Sequence, residues 1–359
     1  MTCPFLLLAT YSMINRCNQM KEAMLYEKLS RERVRCLLCS HQCQIEEGKR
    51  GICGVRENRR GTLYSLVYGK PVACDVDPIE KKPLFHFLPG TRAYSISTVG
   101  CNFTCLNCQN HYISQYPREH SGQIIAMGDD ISPSEVIKEA KQEGCQTIAY
   151  TYTEPTVFFE YALDIARLAH EEGLRNVFIS NGYMSPEAAD AIIPYLDGIN
   201  IDLKGISDKF YREIAGGNLR PVLHSIERFV GAGVWLELTT LVIPGMNDSP
   251  ETLRWTAEAI VGISDTIPWH VSRFSPAHKL ANLSPTPVAT LEQARKIGYE
   301  VGLRYVYVGN VPGEGEHTYC PACGELLIKR IGFLVKENRL QMDRCPACDA
   351  QIDGVWFTP

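Results

Sequence analysis

The chain has no apolar run approaching the roughly 18 consecutive residues of a membrane-spanning helix. Its apolar stretch near the start, Phe5 to Ala9, is only five residues long and follows no basic residue. Neither a membrane span nor a secretory signal is expected, and residues 1–23 read as a loose tail or as a start codon placed upstream of Met20 or Met24. An excess of positive charge is also missing. With 36 basic against 41 acidic residues, a net −5, the general grip on phosphate backbones is lacking, so nucleic acid is not an expected partner. No internal repeat and no low-complexity tract is visible, which excludes solenoids and extended disorder.

What remains is a globular composition, 45% apolar over 359 residues, long enough for two or three domains. The unusual feature is the 15 cysteines. Eleven fall into three tight groups, and clustered thiols without an export signal read as metal or iron–sulfur ligands in a cytoplasmic protein. The other four, Cys3, Cys17, Cys74 and Cys145, read as ordinary buried or incidental thiols.

Four segments follow from the pattern: the tail 1–23, a small cysteine-rich module with connecting segment over 24–90, an α/β domain over 91–311, and a second cysteine-rich module over 312–359. Short β-rich runs start at Tyr94, Thr147, Asn176, Gly198, Val234, His270 and Tyr305, separated by helical stretches. That alternation predicts a parallel sheet of β–α units. Ser132-Pro133-Ser134-Glu135 and Ser185-Pro186-Glu187 are helix starts, and Pro155 to Glu172 reads as one further helix. The fold class is α/β, a partial (β/α)6-type TIM barrel with functional loops after the strand C-termini.

Cys101, Cys105 and Cys108 form C-x3-C-x2-C directly after a predicted strand. A cubane cluster needs four external ligands, so three thiolates leave one iron open to a small chelating molecule. A structural zinc knuckle is the alternative. Later strand ends carry Glu154 in Thr151-Tyr152-Thr153-Glu154-Pro155, the turn Ser180-Asn181-Gly182, Asp202-Leu203-Lys204, and His270. Singly, these also read as a helix cap, a turn, a surface ion pair and a core imidazole.

Spacing, order and strand-end placement resemble the radical S-adenosylmethionine (SAM) superfamily. Within it the chain is most similar to pyruvate formate-lyase activating enzyme homologues, and among these to the radical enzymes of the AmmeMemoRadiSam system. The resemblance runs from about Cys36 to Cys348 and is most specific at Asp77-Pro78-Ile79-Glu80-Lys81-Lys82-Pro83-Leu84 and Cys108-Gln109-Asn110. It implies a [4Fe-4S] cluster on Cys101, Cys105 and Cys108 and a SAM pocket shaped by Asn107, Glu154, Ser180, Asn181, Asp202, Lys204 and His270. The implied reaction is reductive cleavage of SAM to a 5′-deoxyadenosyl radical that takes hydrogen from a substrate, with a protein or peptide among the candidates. The implied partners are a reducing protein such as flavodoxin or ferredoxin and AMMECR1-like and Memo-like proteins. Two positions depart from relatives: Asn107 replaces an aromatic residue that lies against adenine, and Ile179 stands where glycyl-radical activases carry Asp.

Cys320-Pro321-Ala322-Cys323 and Cys345-Pro346-Ala347-Cys348 form a zinc-ribbon pattern in which all four tetrahedral corners are filled. The charges around it, Lys329, Arg330, Lys336, Arg339 and Arg344 with Glu325, Glu337, Asp343 and Asp349, read as a solvated face. Cys36, Cys39, Cys43 and Cys53 offer four more thiolates, with His41 as a spare nitrogen; zinc is favoured and a second iron–sulfur cluster is the alternative at both flanking groups. Lys81-Lys82 and Phe85-His86-Phe87 are candidates for covering the mouth of the site, with interdomain packing preferred. The leading reading is a radical SAM oxidoreductase. A glycyl-radical activating enzyme and a non-catalytic zinc-ribbon scaffold are the alternatives.

Overall fold

In the computed structural model, residues 20–120 and 127–357 are described; Cys3 and Cys17 and most of the predicted tail lie outside them. The centre is an eight-stranded sheet. Its strands are β1 (Ala73–Pro78), β2 (Arg92–Ser97), β3 (Thr147–Tyr150), β4 (Arg175–Ser180), β5 (Gly198–Asp202), β6 (Trp235–Val242), β7 (Trp269–Arg273) and β8 (Val306–Gly309). They lie side by side in chain order, β1 antiparallel to β2 and all later neighbours parallel. Parallel neighbours require long crossovers, and six helices supply them: α1 (Pro133–Gln142), α2 (Phe159–Glu171), α3 (Pro186–Ile192), α4 (Leu219–Gly231), α5 (Pro250–Val261) and α6 (Val288–Val301). The two edge strands, β1 and β8, do not pair, so the barrel stays open.

Helix starts follow local chemistry. Ser132 closes a full capping box with Glu135, and Ser185 and Ser249 accept from the third helical N–H of α3 and α5, each cap followed by a proline. The stretch predicted as one helix from Pro155 begins instead with a 3₁₀ turn, Pro155–Phe158, before α2. Phe158 leaves helical dihedrals at φ −110°, ψ 36°, so the first turn and the α-helix cannot be continuous.

Residues 20–67 carry short antiparallel strands, and Val34, Leu38, Ile45, Val55 and Leu63 in and between them join the same core as the barrel. Arg56, 1% exposed, anchors them there. Both its terminal nitrogens bond the carboxylate of Glu160 on α2, at 2.7 and 2.9 Å, and Glu160 also accepts the backbone N–H of Met24.

The inner floor of the sheet is filled by residues 83–88. Glu237 on β6 accepts from the backbone N–H groups of Phe85 and His86, from Trp235 Nε1 and from His270 Nε2. Those four donors saturate its carboxylate. From below, the last module (strands β9, Thr318–Tyr319; β10, Leu326–Ile331; β11, Leu334–Asn338) closes on this floor. Arg330 was expected on a solvated face; it is 1% exposed, with its guanidinium 4.3 Å over the Phe85 ring and Nη2 donating to the Phe85 carbonyl. Packing against the floor segment overrides the local charge pattern. Among the described residues no helix is long and apolar enough to cross a membrane.

Glu160→Ala leaves the Arg56 cation buried without its carboxylate and is expected to cost about 3–5 kcal/mol of unfolding free energy. Urea denaturation measures it, and replacing both partners with apolar residues should cost distinctly less.

Candidate active site

The loop after β2 carries Cys101, Cys105 and Cys108, and backbone bonds pin it. Thr104 N donates to Ala215 O and Leu106 N to Ile214 O, both at 2.9 Å, and Gly100 N donates to Ile113 O. The backing loop needs glycine at 217, because a Cβ there would sit 2.5 Å from Cε1 of Phe103. The three thiols and Asn107 line one cavity of about 580 Å³ at the C-terminal ends of the strands. Burial pushes the Cys101 thiol well above its ordinary range and Cys105 up to about 11. Such sulfurs become thiolates readily only when a metal replaces the proton.

Glu154, Ser180 and Asn181 line the same cavity. The Glu154 carboxylate, 2% exposed, takes Thr156 N–H, Thr156 O–H and Ser180 O–H on Oε1 and only Asn181 N–H, at 2.7 Å, on Oε2. Glu154 therefore caps the 3₁₀ turn and still keeps a free acceptor site on Oε2. Asn181 in turn donates to Asn102 Oδ1 at 2.7 Å, and its Nδ2 lies 3.9 Å from Cys101 Sγ. Asp202 and Lys204 complete this wall as an ion pair of 2.7 Å. The Lys204 ammonium loses hydration by burial, but Asp202 outweighs that and holds it firmly protonated.

His270 does not reach the cavity. It is the second residue of β7, 2% exposed, with Nε2 held 2.6 Å from Glu237 and its ring stacked on Tyr307. At that height it belongs to the floor; two residues further along, Ser272 opens onto an adjoining space of about 210 Å³ that shares Asn107, Asp202 and Lys204 with the main cavity.

Sequence reasoning passed over Tyr152 and Asp77. Tyr152 lines the cavity at φ +63°, donates its hydroxyl to Asp77, and accepts a bond from Asn110 at its carbonyl. Asp77 also binds Lys81 and Lys82, each at 2.6 Å. Burial would raise its carboxyl, but the two lysines and Tyr152 outweigh burial and hold it well below the ordinary carboxylate range. Lys81 and Lys82 line the cavity, whereas Phe85 and Phe87 go to the floor. The only available signal was the Asp77 to Lys82 stretch of the resemblance; nothing in Tyr152 itself announces a strained backbone.

Thiol spacing separates the cysteine groups. Among the described residues, the only set of three or more thiol, imidazole or carboxylate donors gathered within 4.8 Å of one another is Cys320, Cys323, Cys345 and Cys348, with two cross-pairs at 3.7 Å. Four sulfurs about 2.3 Å from one ion stand about 3.8 Å apart, so this set fits a zinc-ribbon-like site. Its two knuckles are alike: Cys320 N donates to Glu325 O as Cys345 N does to Ala350 O. The central trio is wider than a single ion would hold, which fits a cluster that gives each thiolate its own iron.

Residues 95–256 match the Radical SAM superfamily. Over 340 residues, 94% of this chain and 100% of the other, the sequence is 45% identical to the uncharacterized protein MJ0808 of Methanocaldococcus jannaschii. The chain belongs to the radical SAM superfamily. It is also 23% identical, over 54% of its length and 81% of the other's, to the pyruvate formate-lyase-activating enzyme of Clostridium pasteurianum. Among solved structures it is similar to Streptococcus suis SuiB bound to S-adenosylmethionine, with TM-score 0.49 and 12% identity over 65% of this chain and 53% of that one. Radical SAM proteins are enzymes that use a [4Fe-4S] cluster and SAM.

His270→Gln is expected to lower thermal stability through its lost partner, by about 1–3 kcal/mol, while SAM affinity in titration calorimetry stays at the wild-type value. A loss of about tenfold, 1.4 kcal/mol, would return His270 to the cofactor pocket.

Proposed function

We propose that this chain is a radical SAM oxidoreductase whose catalytic cluster is held by Cys101, Cys105 and Cys108. The observation that carries the reading is the company these thiols keep: one cavity joins them to a free carboxylate acceptor on Glu154 and a half-buried, firmly protonated ammonium on Lys204. With three protein thiolates, one iron is left for the amino and carboxylate groups of SAM. When bound, cluster and cofactor together supply a 5′-deoxyadenosyl radical able to take a hydrogen atom from carbon.

The residues of the chain then bind and orient. Glu154 Oε2 accepts from the cofactor ammonium, and Lys204 pairs with its carboxylate, partly drawn from Asp202. Ser180 and Asn181 hold Glu154 in place, and Asn107 meets the nucleoside where relatives place an aromatic ring. Fixing these groups before binding removes the entropy of aligning them later. Tyr152, Lys81 and Lys82 line the same cavity, and we assign them to the substrate. The open barrel edge favours a protein or peptide substrate, in the cytoplasm, with a flavodoxin or ferredoxin as reductant and AMMECR1-like and Memo-like proteins as partners.

A glycyl-radical activase is the second reading, supported by the Clostridium pasteurianum relative and weakened by Ile179. We place zinc at Cys320, Cys323, Cys345 and Cys348, where it would fold a module too small to stand unaided.

Reconstituted without air and given reductant, the wild-type chain is expected to convert SAM to 5′-deoxyadenosine, read by chromatography, and to draw deuterium into it from the right substrate. Cys105→Ala should fall to the no-enzyme level. Lys204→Ala should weaken SAM binding about tenfold, 1.4 kcal/mol. A wild-type chain that binds only zinc and yields no deoxyadenosine would overturn the reading.

Separately, Cys345→Ser should release about one zinc per chain and lower the melting temperature. Metal analysis paired with thermal denaturation checks this.

A further inference from the structure

The third cysteine group sits in a chamber of its own. Cys36, Cys39, Cys43 and Cys53 line it together with Leu38, Ile45 and Val157, and with Arg56 and Asn102. The centre of a water-sized sphere can range over about 20 Å³ inside, against roughly 10–15 Å³ for one water. A tetrahedral zinc needs no such room, because its sulfurs stand about 2.3 Å away. Nor have the thiols closed up as the last four have: no three of them gather within 4.8 Å.

Two buried donors in this chamber have no partner. Arg56 spends its terminal nitrogens on Glu160 and on the Met24 carbonyl, and its Nε is unpaired. Asn102 accepts from Asn181 at Oδ1 and meets the His41 ring at its backbone carbonyl, and its Nδ2 is unpaired. Leaving a buried N–H without an acceptor is unfavourable, because its desolvation goes uncompensated. Sulfide and thiolate sulfur accept such bonds, and in iron–sulfur proteins those bonds set the reduction potential.

We propose that Cys36, Cys39, Cys43 and Cys53 bind a second, polynuclear iron–sulfur cluster, to which Arg56 Nε and Asn102 Nδ2 donate hydrogen bonds. The donors call for anionic sulfur, and the room and the spread of the thiols select a cluster over the zinc favoured from sequence. Asn102 lines this chamber and follows Cys101, a wall of the catalytic cavity, so the two sites are one residue apart along the chain. The assignment stands independently of the catalytic reading.

The test removes the catalytic trio. The full-length variant Cys101→Ala, Cys105→Ala, Cys108→Ala, reconstituted without air, is expected to keep roughly two to four irons and as many acid-labile sulfides per chain. On reduction it should give a cluster electron paramagnetic resonance signal, lost when Cys39→Ser and Cys43→Ser are added. As a second measurement, the otherwise wild-type chain carrying Cys39→Ser and Cys43→Ser should bind roughly half to two-thirds of the iron of wild type. In the trio-less background, Asn102→Leu should make the reduction potential more negative, since it removes a donor to the cluster. A trio-less chain with two zincs and no labile sulfide, or wild-type and Cys39→Ser/Cys43→Ser chains with equal iron, would overturn the proposal. An unmoved potential in Asn102→Leu would overturn the hydrogen bond from Asn102.

Discussion

One buried carboxylate aligns the working end of the barrel. Glu154 follows β3, takes the hydroxyl of Ser180 at the end of β4 and the N–H of Asn181 just after it, and through Asn181 reaches Asn102 on the loop that carries the thiols. Three adjacent strand ends are thereby held in register by side chains as well as by the sheet. Burial works against the charge on Glu154 and raises its pKa, and the donors converging on it counter that cost. Groups drawn from separate strands can act on one small molecule only if their mutual positions are fixed to a fraction of an ångström.

The same strands serve two ends of the sheet. Along β6 and β7, Glu237 and His270 belong to the floor, while Thr239 and Ser272, two residues on, open toward the cavity. The floor is polar, and its imidazoles and the Glu237 carboxylate are paired. Burial lowers His86 to about 4, so its ring is neutral; Nδ1 donates to the Asp353 carbonyl, and Nε2 must then accept from Tyr307. Such a network is rigid because no member can turn without leaving another unpaired.

The barrel was legible because β–α alternation is a strong periodic signal: every run read as a strand lies within a residue or two of a real one. That the thiol trio, Glu154, Asn181 and Lys204 would come together in one cavity was legible because they follow strand ends. His270 was misplaced because strand residues alternate between faces but give no depth, and depth separates floor from mouth. Arg330 and Tyr152 were missed for a related reason: the partners that define them, Phe85 and Asp77, are distant in sequence. The apolar residues of the cysteine-rich start of the chain join the barrel core.

The floor has a consequence for how the molecule is made. Val355 bridges Phe87 and exchanges backbone bonds with His86 and Leu88, and the Asp353 carbonyl meets the His86 ring across 267 positions. That seam cannot close until a ribosome has released Asp353 and Val355, long after residues 86–88. Contacts so remote in sequence slow assembly, and until they form, the underside of a nearly complete sheet stays exposed to chaperones and proteases.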